Sequence, residues 1–152
     1  MESLKKSVVV AAPAHVAWRV FTERMGTWWP LVSHKIGATK AVDVELEPKV
    51  GGRWFERGDD GSTCTWGHVV AWEPTTRLVL SWEISADWQH DPELQTEVEV
   101  RFVPDGDSTR VELEHRHLER YGQRAQEMRG VFDSDGGWTG LLAAFAKQAA
   151  AD

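Results

Sequence analysis

Residues 63–83 read TCTWGHVVAWEPTTRLVLSWE. Trp66, His68, Val70 and Trp72 fall in phase at steps of two, which is the period at which a strand returns to the same face. The pattern predicts a strand over Thr63–Glu73 with one face too apolar for water. Pro74-Thr75-Thr76 then turns the chain into Arg77–Ile84, where Leu78, Leu80, Trp82 and Ile84 share a face. Two such strands joined by a short turn are antiparallel neighbours.

The same grammar extends in both directions. Upstream, Val42, Val44 and Leu46 alternate with Asp43, Glu45 and Glu47, Pro48–Gly52 turns, and Arg53–Arg57 is a further strand. The DDGS run at 59–62 carries the Asp-Gly signal of a tight hairpin. Downstream, Ser85–Pro92 is polar and reads as a loop. Glu97–Val103 alternates again, PDGDS at 104–108 turns, and Val111, Leu113 and His115 are in phase over Arg110–Arg116.

The ends differ from the middle. Leu4–Ala11 is β-branched and stops at Pro13, which suits the first turn of a helix. Val16, Ala17, Val20, Phe21 and Arg24 lie at helical spacing, and Gly26 closes that helix. Residues 118–132 read as a loop or a short helix. Asp133-Ser134-Asp135 offers a cap for a last helix carrying Trp138, Leu141, Leu142, Phe145 and Ala149 on one stripe. The predicted fold class is α+β. A curved antiparallel sheet of about seven strands wraps around a long C-terminal helix, with one or two short helices between strands 1 and 2. Residues 1–152 are expected to form one domain, a size that buries roughly 68–70% of its unfolded surface.

Composition narrows the function classes. The formal charge is −7, and the basic residues are scattered among acids. A phosphate backbone needs clustered Lys and Arg, so nucleic acid is not an expected partner. The single Cys64 permits no internal disulfide and fits a reducing compartment. No apolar stretch approaches the ~18 residues of a membrane span, and the Ser7–Ala12 run is too short for a secretion signal. The expected location is cytoplasmic. Nine tryptophans accompany one tyrosine. An indole gives large apolar area and one N–H that wants a partner, which suits pockets as well as cores.

VVVAAPAHVAWRVFTE at 8–23, WWP at 28–30, GGRWFERGDDGSTCTWGHVVAWEPTTRLVLSWE at 51–83 and GWTGLLAAFAKQ at 137–148 occur in an order that spans nearly the whole chain. Together they resemble the helix-grip superfamily of StAR-related lipid-transfer, polyketide-cyclase and pollen-allergen proteins. Within it they are most similar to the branch named after the activator of heat-shock-protein-90 ATPase. The resemblance implies a cavity between sheet and terminal helix for an apolar small molecule. It implies no universal catalytic set, because the family includes binders, cochaperones and enzymes.

Candidate chemistry is sparse. His115 and His117 alternate on a strand, but no carboxylate or cysteine at ligand spacing completes a metal set with them and His68. Cys64 lies roughly 13 Å from His68 along its strand, too far for an activated thiol. No nucleophile triad, phosphate loop or cofactor fingerprint is present, so no cofactor and no catalytic residue is assigned. Glu97, Glu99, Glu112 and Glu114 alternate with apolar residues and form a wet sheet face. The candidate ligand-binding residues are Trp28, Trp29, Trp54, Trp66, His68, Trp72, Trp82, His115, Trp138 and Leu142, with entry near 28–34 and 85–93. Of the adjacent Trp28 and Trp29, one is expected to anchor the helix end and the other to wall the cavity mouth.

The leading expectation is a protein that binds an apolar or aromatic small molecule. An alternative is a cochaperone-like interaction module with a chaperone partner, which requires a contiguous exposed apolar surface. A third is a cyclase or hydrolase using cavity groups such as His68, His115, Arg53 or Tyr121 for acid–base work. A free sheet edge and an exposed Trp88 leave room for a homodimer.

Overall fold

The computed structural model describes residues 1–152. Seven strands form one antiparallel sheet: β1 (Leu4–Val10), β2 (Ala41–Leu46), β3 (Arg53–Gly58), β4 (Thr63–Glu73), β5 (Arg77–Trp82), β6 (Thr96–Asp105) and β7 (Ser108–Arg116). Their spatial order is β1-β7-β6-β5-β4-β3-β2, a meander whose first strand returns to lie beside the last. Helix α1 (Ala14–Glu23) follows β1, and α2 (Ala125–Asp133) and α3 (Trp138–Ala151) close the chain. The sheet curls, and α3 fills its concave side: Phe145 meets Phe21 and Trp28, while Trp138 meets Trp29 and Trp82. This is the predicted α+β helix-grip architecture. No helix is long and apolar enough to cross a membrane.

The pairing of β4 departs from simple alternation. The register shifts once against β3, between Trp54 and Phe55, and once against β5, between Val69 and Ala71. Each bulge inserts one residue and inverts the faces beyond it. Trp66 therefore points inward at 1% exposure, while His68, opposite Arg53, points outward. Beyond the second bulge Trp72 faces inward again, opposite Leu78, and Val70 is left exposed. Sequence phase placed His68 and Val70 with the two tryptophans; the paired bulges take both out. A shift between Ala41 and Asp43 does the same to Val42, which is exposed although it was expected inward.

Two glycines permit close approaches that shape the interior. At Gly67, inside the first bulge, a Cβ would lie 1.8 Å from the Ser81 carbonyl oxygen. At Gly137 a Cβ would lie 2.3 Å from the Phe132 carbonyl oxygen, so α2 and α3 can fold back on each other. Gly137 is also the residue that precedes α3, and no side chain caps the helix. The expected Asp133–Asp135 cap is not used; Ser134 instead donates from Oγ to Val131 O at the end of α2.

Replacing Gly67 by Ala forces β4 and β5 apart at the bulge. The expected cost is about 3 kcal/mol, read as a lower urea midpoint with an unchanged slope. An unchanged midpoint would show that the close approach is not needed.

Candidate functional site

The site grows from the sharp bend after α1. A short turn over Met25–Thr27 leads into Trp28 and Trp29, both buried. Their N–H groups separate them. Trp28 Nε1 donates back to Val20 O (3.1 Å), which pins the ring on α1 between Phe21 and Phe145. Trp29 Nε1 donates forward to His34 O (2.9 Å), which turns its ring to the interior beside Trp66 and Trp138.

The chain from Pro30 to Lys40 has no regular structure and is held by side chains. The buried Glu56 of β3 accepts from Ile36 N (2.6 Å), Gly37 N (3.1 Å) and Trp66 Nε1 (2.9 Å). One carboxylate thus fixes both this loop and an indole of the sheet. The His34 ring spans the gap to the α2–α3 junction, where its Nε2 donates to Gly136 O (2.6 Å). That assignment leaves Nδ1 as acceptor for the Ser33 hydroxyl (2.6 Å).

These elements enclose a cavity of about 440 Å³. Trp29, Trp66, Trp82, Trp138 and Phe132 form its walls, with Ile84 and Leu141. Ser33, His34 and Lys35 line it from the loop after the bend, and Trp88 from the loop after β5. Trp88 is 43% exposed and adopts a left-handed φ of 60°. Its loop is tied back by a bridge between Ile84 and His90 and by the Glu83 carboxylate on the outer face. Glu83 accepts from His68 Nδ1 (2.8 Å), His90 Nε2 (3.0 Å) and Ser81 Oγ (2.5 Å). Burial alone would raise this carboxyl, but those three donors hold it below its ordinary value.

Of the ten residues singled out from sequence, Trp29, Trp66, Trp82 and Trp138 are in the wall. Trp28, Trp54 and Leu142 are buried behind it. Trp72 is half-buried at the far end against Trp18. His68 is on the outer face for the register reason given above. His115 is fully buried and does not reach the cavity. It sits behind Trp138, whose N–H donates to His115 Nδ1 (3.1 Å). Since Nδ1 accepts, Nε2 carries the proton and meets Thr96 Oγ1 (2.8 Å). His117, at φ 65°, reaches toward Glu97 and Glu119 and does not converge with His115. Arg53 lies over the Phe55 ring, and the Tyr121 hydroxyl donates to Ile84 O.

Sequence reading missed Ser33, His34 and Lys35 as wall residues, along with Phe132, Leu141 and Ile84, the last placed on a strand face but not singled out. The first three lie in a segment without periodicity, so only the loop's position near an expected mouth pointed to them. Phe132 lies in a segment left open as loop or helix, and Leu141 was read as core.

Fold and site define a helix-grip protein with an indole-walled internal cavity. The chain belongs to the Activator of Hsp90 ATPase homolog 1-like protein family, whose model matches residues 11–150. It is similar to the solved structure of an anthrahydroquino-gamma-pyrone synthase, Txn09, complexed with SUM. The two share 39% identity over 97% of this chain and 96% of that one, with a TM-score of 0.68. It is also similar to CalC from Micromonospora echinospora, described as a self-sacrificing resistance protein. That match has 33% identity, 97% and 93% coverage and a TM-score of 0.70. Protein NE0264 from Nitrosomonas europaea shares the fold at 17% identity and a TM-score of 0.68, covering 97% and 93%. None of the curated proteins matches the chain.

The buried His115 makes stability depend on pH. Burial lowers its imidazole from 6.5 to about 3, so between those values the unfolded chain binds a proton that the folded one does not. Stability is therefore full above pH 6.5 and falls as the pH drops, by up to ~1.4 kcal/mol per unit. Glu83 and Glu99, both held low, add to the loss only below about 4.5, the ordinary value for a glutamate. Denaturant titrations between pH 6.5 and 4.5 should show this slope, and His115→Gln should flatten it. A flat wild-type profile would contradict the assignment.

Proposed function

We propose that this protein binds a flat aromatic or apolar small molecule in the cavity between the sheet and α3. The observation that carries the reading is the wall itself. Five indoles, Trp88 at the mouth among them, and a phenyl ring line about 440 Å³, while Ser33, His34 and Lys35 lie on one loop. Small-molecule sites have this size and this division between apolar wall and few polar groups. Two proteins more than 30% identical support the reading. One is named an anthrahydroquino-gamma-pyrone synthase and was solved complexed with SUM, and the other is named a self-sacrificing resistance protein.

A second reading is ring-closing catalysis on such a molecule. The Ser33–His34 hydrogen bond favours it, because it sets an imidazole and a hydroxyl on the cavity lining, where a proton could be moved. These groups replace His68 and His115 in that role. The two readings separate on the fate of the ligand. A binder returns it unchanged, whereas a cyclase returns an isomer of equal mass and different retention.

The chaperone alternative lacks comparable support. Of the large exposed apolar side chains, Val9, Val42 and Val70 sit on separate strands, and Trp88 and Val131 belong to the cavity lining.

Titration with the neutral planar probe anthracene-9-carboxamide should quench tryptophan fluorescence saturably at one site. Trp88→Ala removes one exposed ring at the mouth without opening the core. It should weaken the probe by about tenfold with the unfolding midpoint unchanged. Absence of saturable quenching in the wild type would overturn the binding reading.

A further inference from the structure

The charge of the cavity lining differs from that of the chain. Acids outnumber bases 24 to 17 in the sequence, yet none of the 15 lining residues is Asp or Glu. One lining residue, Lys35, is a fixed cation. The nearby carboxylate of Glu56 is committed to two backbone amides and the Trp66 indole, and it is not in the wall. On the opposite rim, Asp87 is taken by Arg124. Lys35 itself has no carboxylate within ion-pair distance. Its Nζ donates to the Gly37 carbonyl oxygen (2.5 Å), one uncharged partner for a group with three donors.

We infer that the cavity selects acidic aromatic molecules, a ring system bearing a carboxylate or an acidic phenol, with the anionic oxygen placed against Lys35 and the rings among the indoles. This rests on the cavity being a ligand site. The anion takes a donor from Lys35 that the fold leaves spare. A neutral aromatic of the same shape fills the wall equally well but gains nothing at that end, and a cationic one meets the like charge of Lys35. The chain's net charge of −7 repels anions at long range. Selection is therefore a contact effect, with little of the salt-dependent steering that a positively charged funnel would give.

The test compares anthracene-9-carboxylate, anthracene-9-carboxamide and 9-(aminomethyl)anthracene by tryptophan quenching near neutral pH. The carboxylate should bind about tenfold tighter than the carboxamide, as expected of a charge-assisted hydrogen bond that stays partly wet. The amine should bind weakest. Lys35→Gln should bring the carboxylate down to the carboxamide's affinity for the same variant, whereas Lys35→Arg should keep the preference. Equal binding of carboxylate and carboxamide, or a preference that survives Lys35→Gln, overturns the charge selection alone. If the carboxamide too fails to quench, the cavity reading falls and this inference falls with it.

Discussion

The contact between Gly67 and the Ser81 carbonyl oxygen governs the interior of this protein. Because no side chain stands between β4 and β5 there, β4 can accommodate its first bulge. That bulge directs Trp66 inward, and the second restores the inward phase by Trp72. Bulged strands bend and twist more strongly. The bend gives a concave face deep enough to take a helix at one end and to leave about 440 Å³ at the other. With strict alternation along β4, His68 would have stood in the wall and the outer cluster around Glu83 would not exist.

Hydrogen bonding then sorts the indoles. A buried N–H without a partner is costly, so each ring orients toward whatever acceptor it can reach. Val20 O holds Trp28 against α1, Met25 Sδ holds Trp54 in the core, and Glu56 and His115 hold Trp66 and Trp138 in the wall. Trp82 Nε1 is the exception, buried without a partner. Trp54 meets both Trp66 and Trp82 edge to face, at 5.5 and 5.6 Å between ring centroids. A wall held in this way is largely pre-formed, which lowers the cost of ordering it around a ligand.

Much of this was legible in the sequence. Period-two alternation in β5, β6 and β7 fixed those strands and their inner faces, because none of their mutual pairings carries a bulge. The apolar stripe of α3 was equally plain. Bulges erased the signal in β4 and at Val42, since one inserted residue inverts a period of two. The wall indoles were recognisable as a set, but His115 could not be told from a cavity group by phase, which reports the face and not the depth. Ser33, His34 and Lys35 were hidden for another reason. Their positions depend on the tethers of the neighbouring Ile36 and Gly37 to Glu56, 20 and 19 residues away, and of His34 to Gly136, 102 residues away, and no local pattern encodes such tethers.

The central claim is that the indole cage is a ligand site. A crystal structure of the protein soaked with anthracene-9-carboxylate tests it most directly. The ring system is expected between Trp29, Trp66, Trp82 and Trp138, close to Trp88, with the carboxylate toward Lys35. Density for the probe only on the outer surface, with the wall side chains collapsed into the cavity, would contradict the claim.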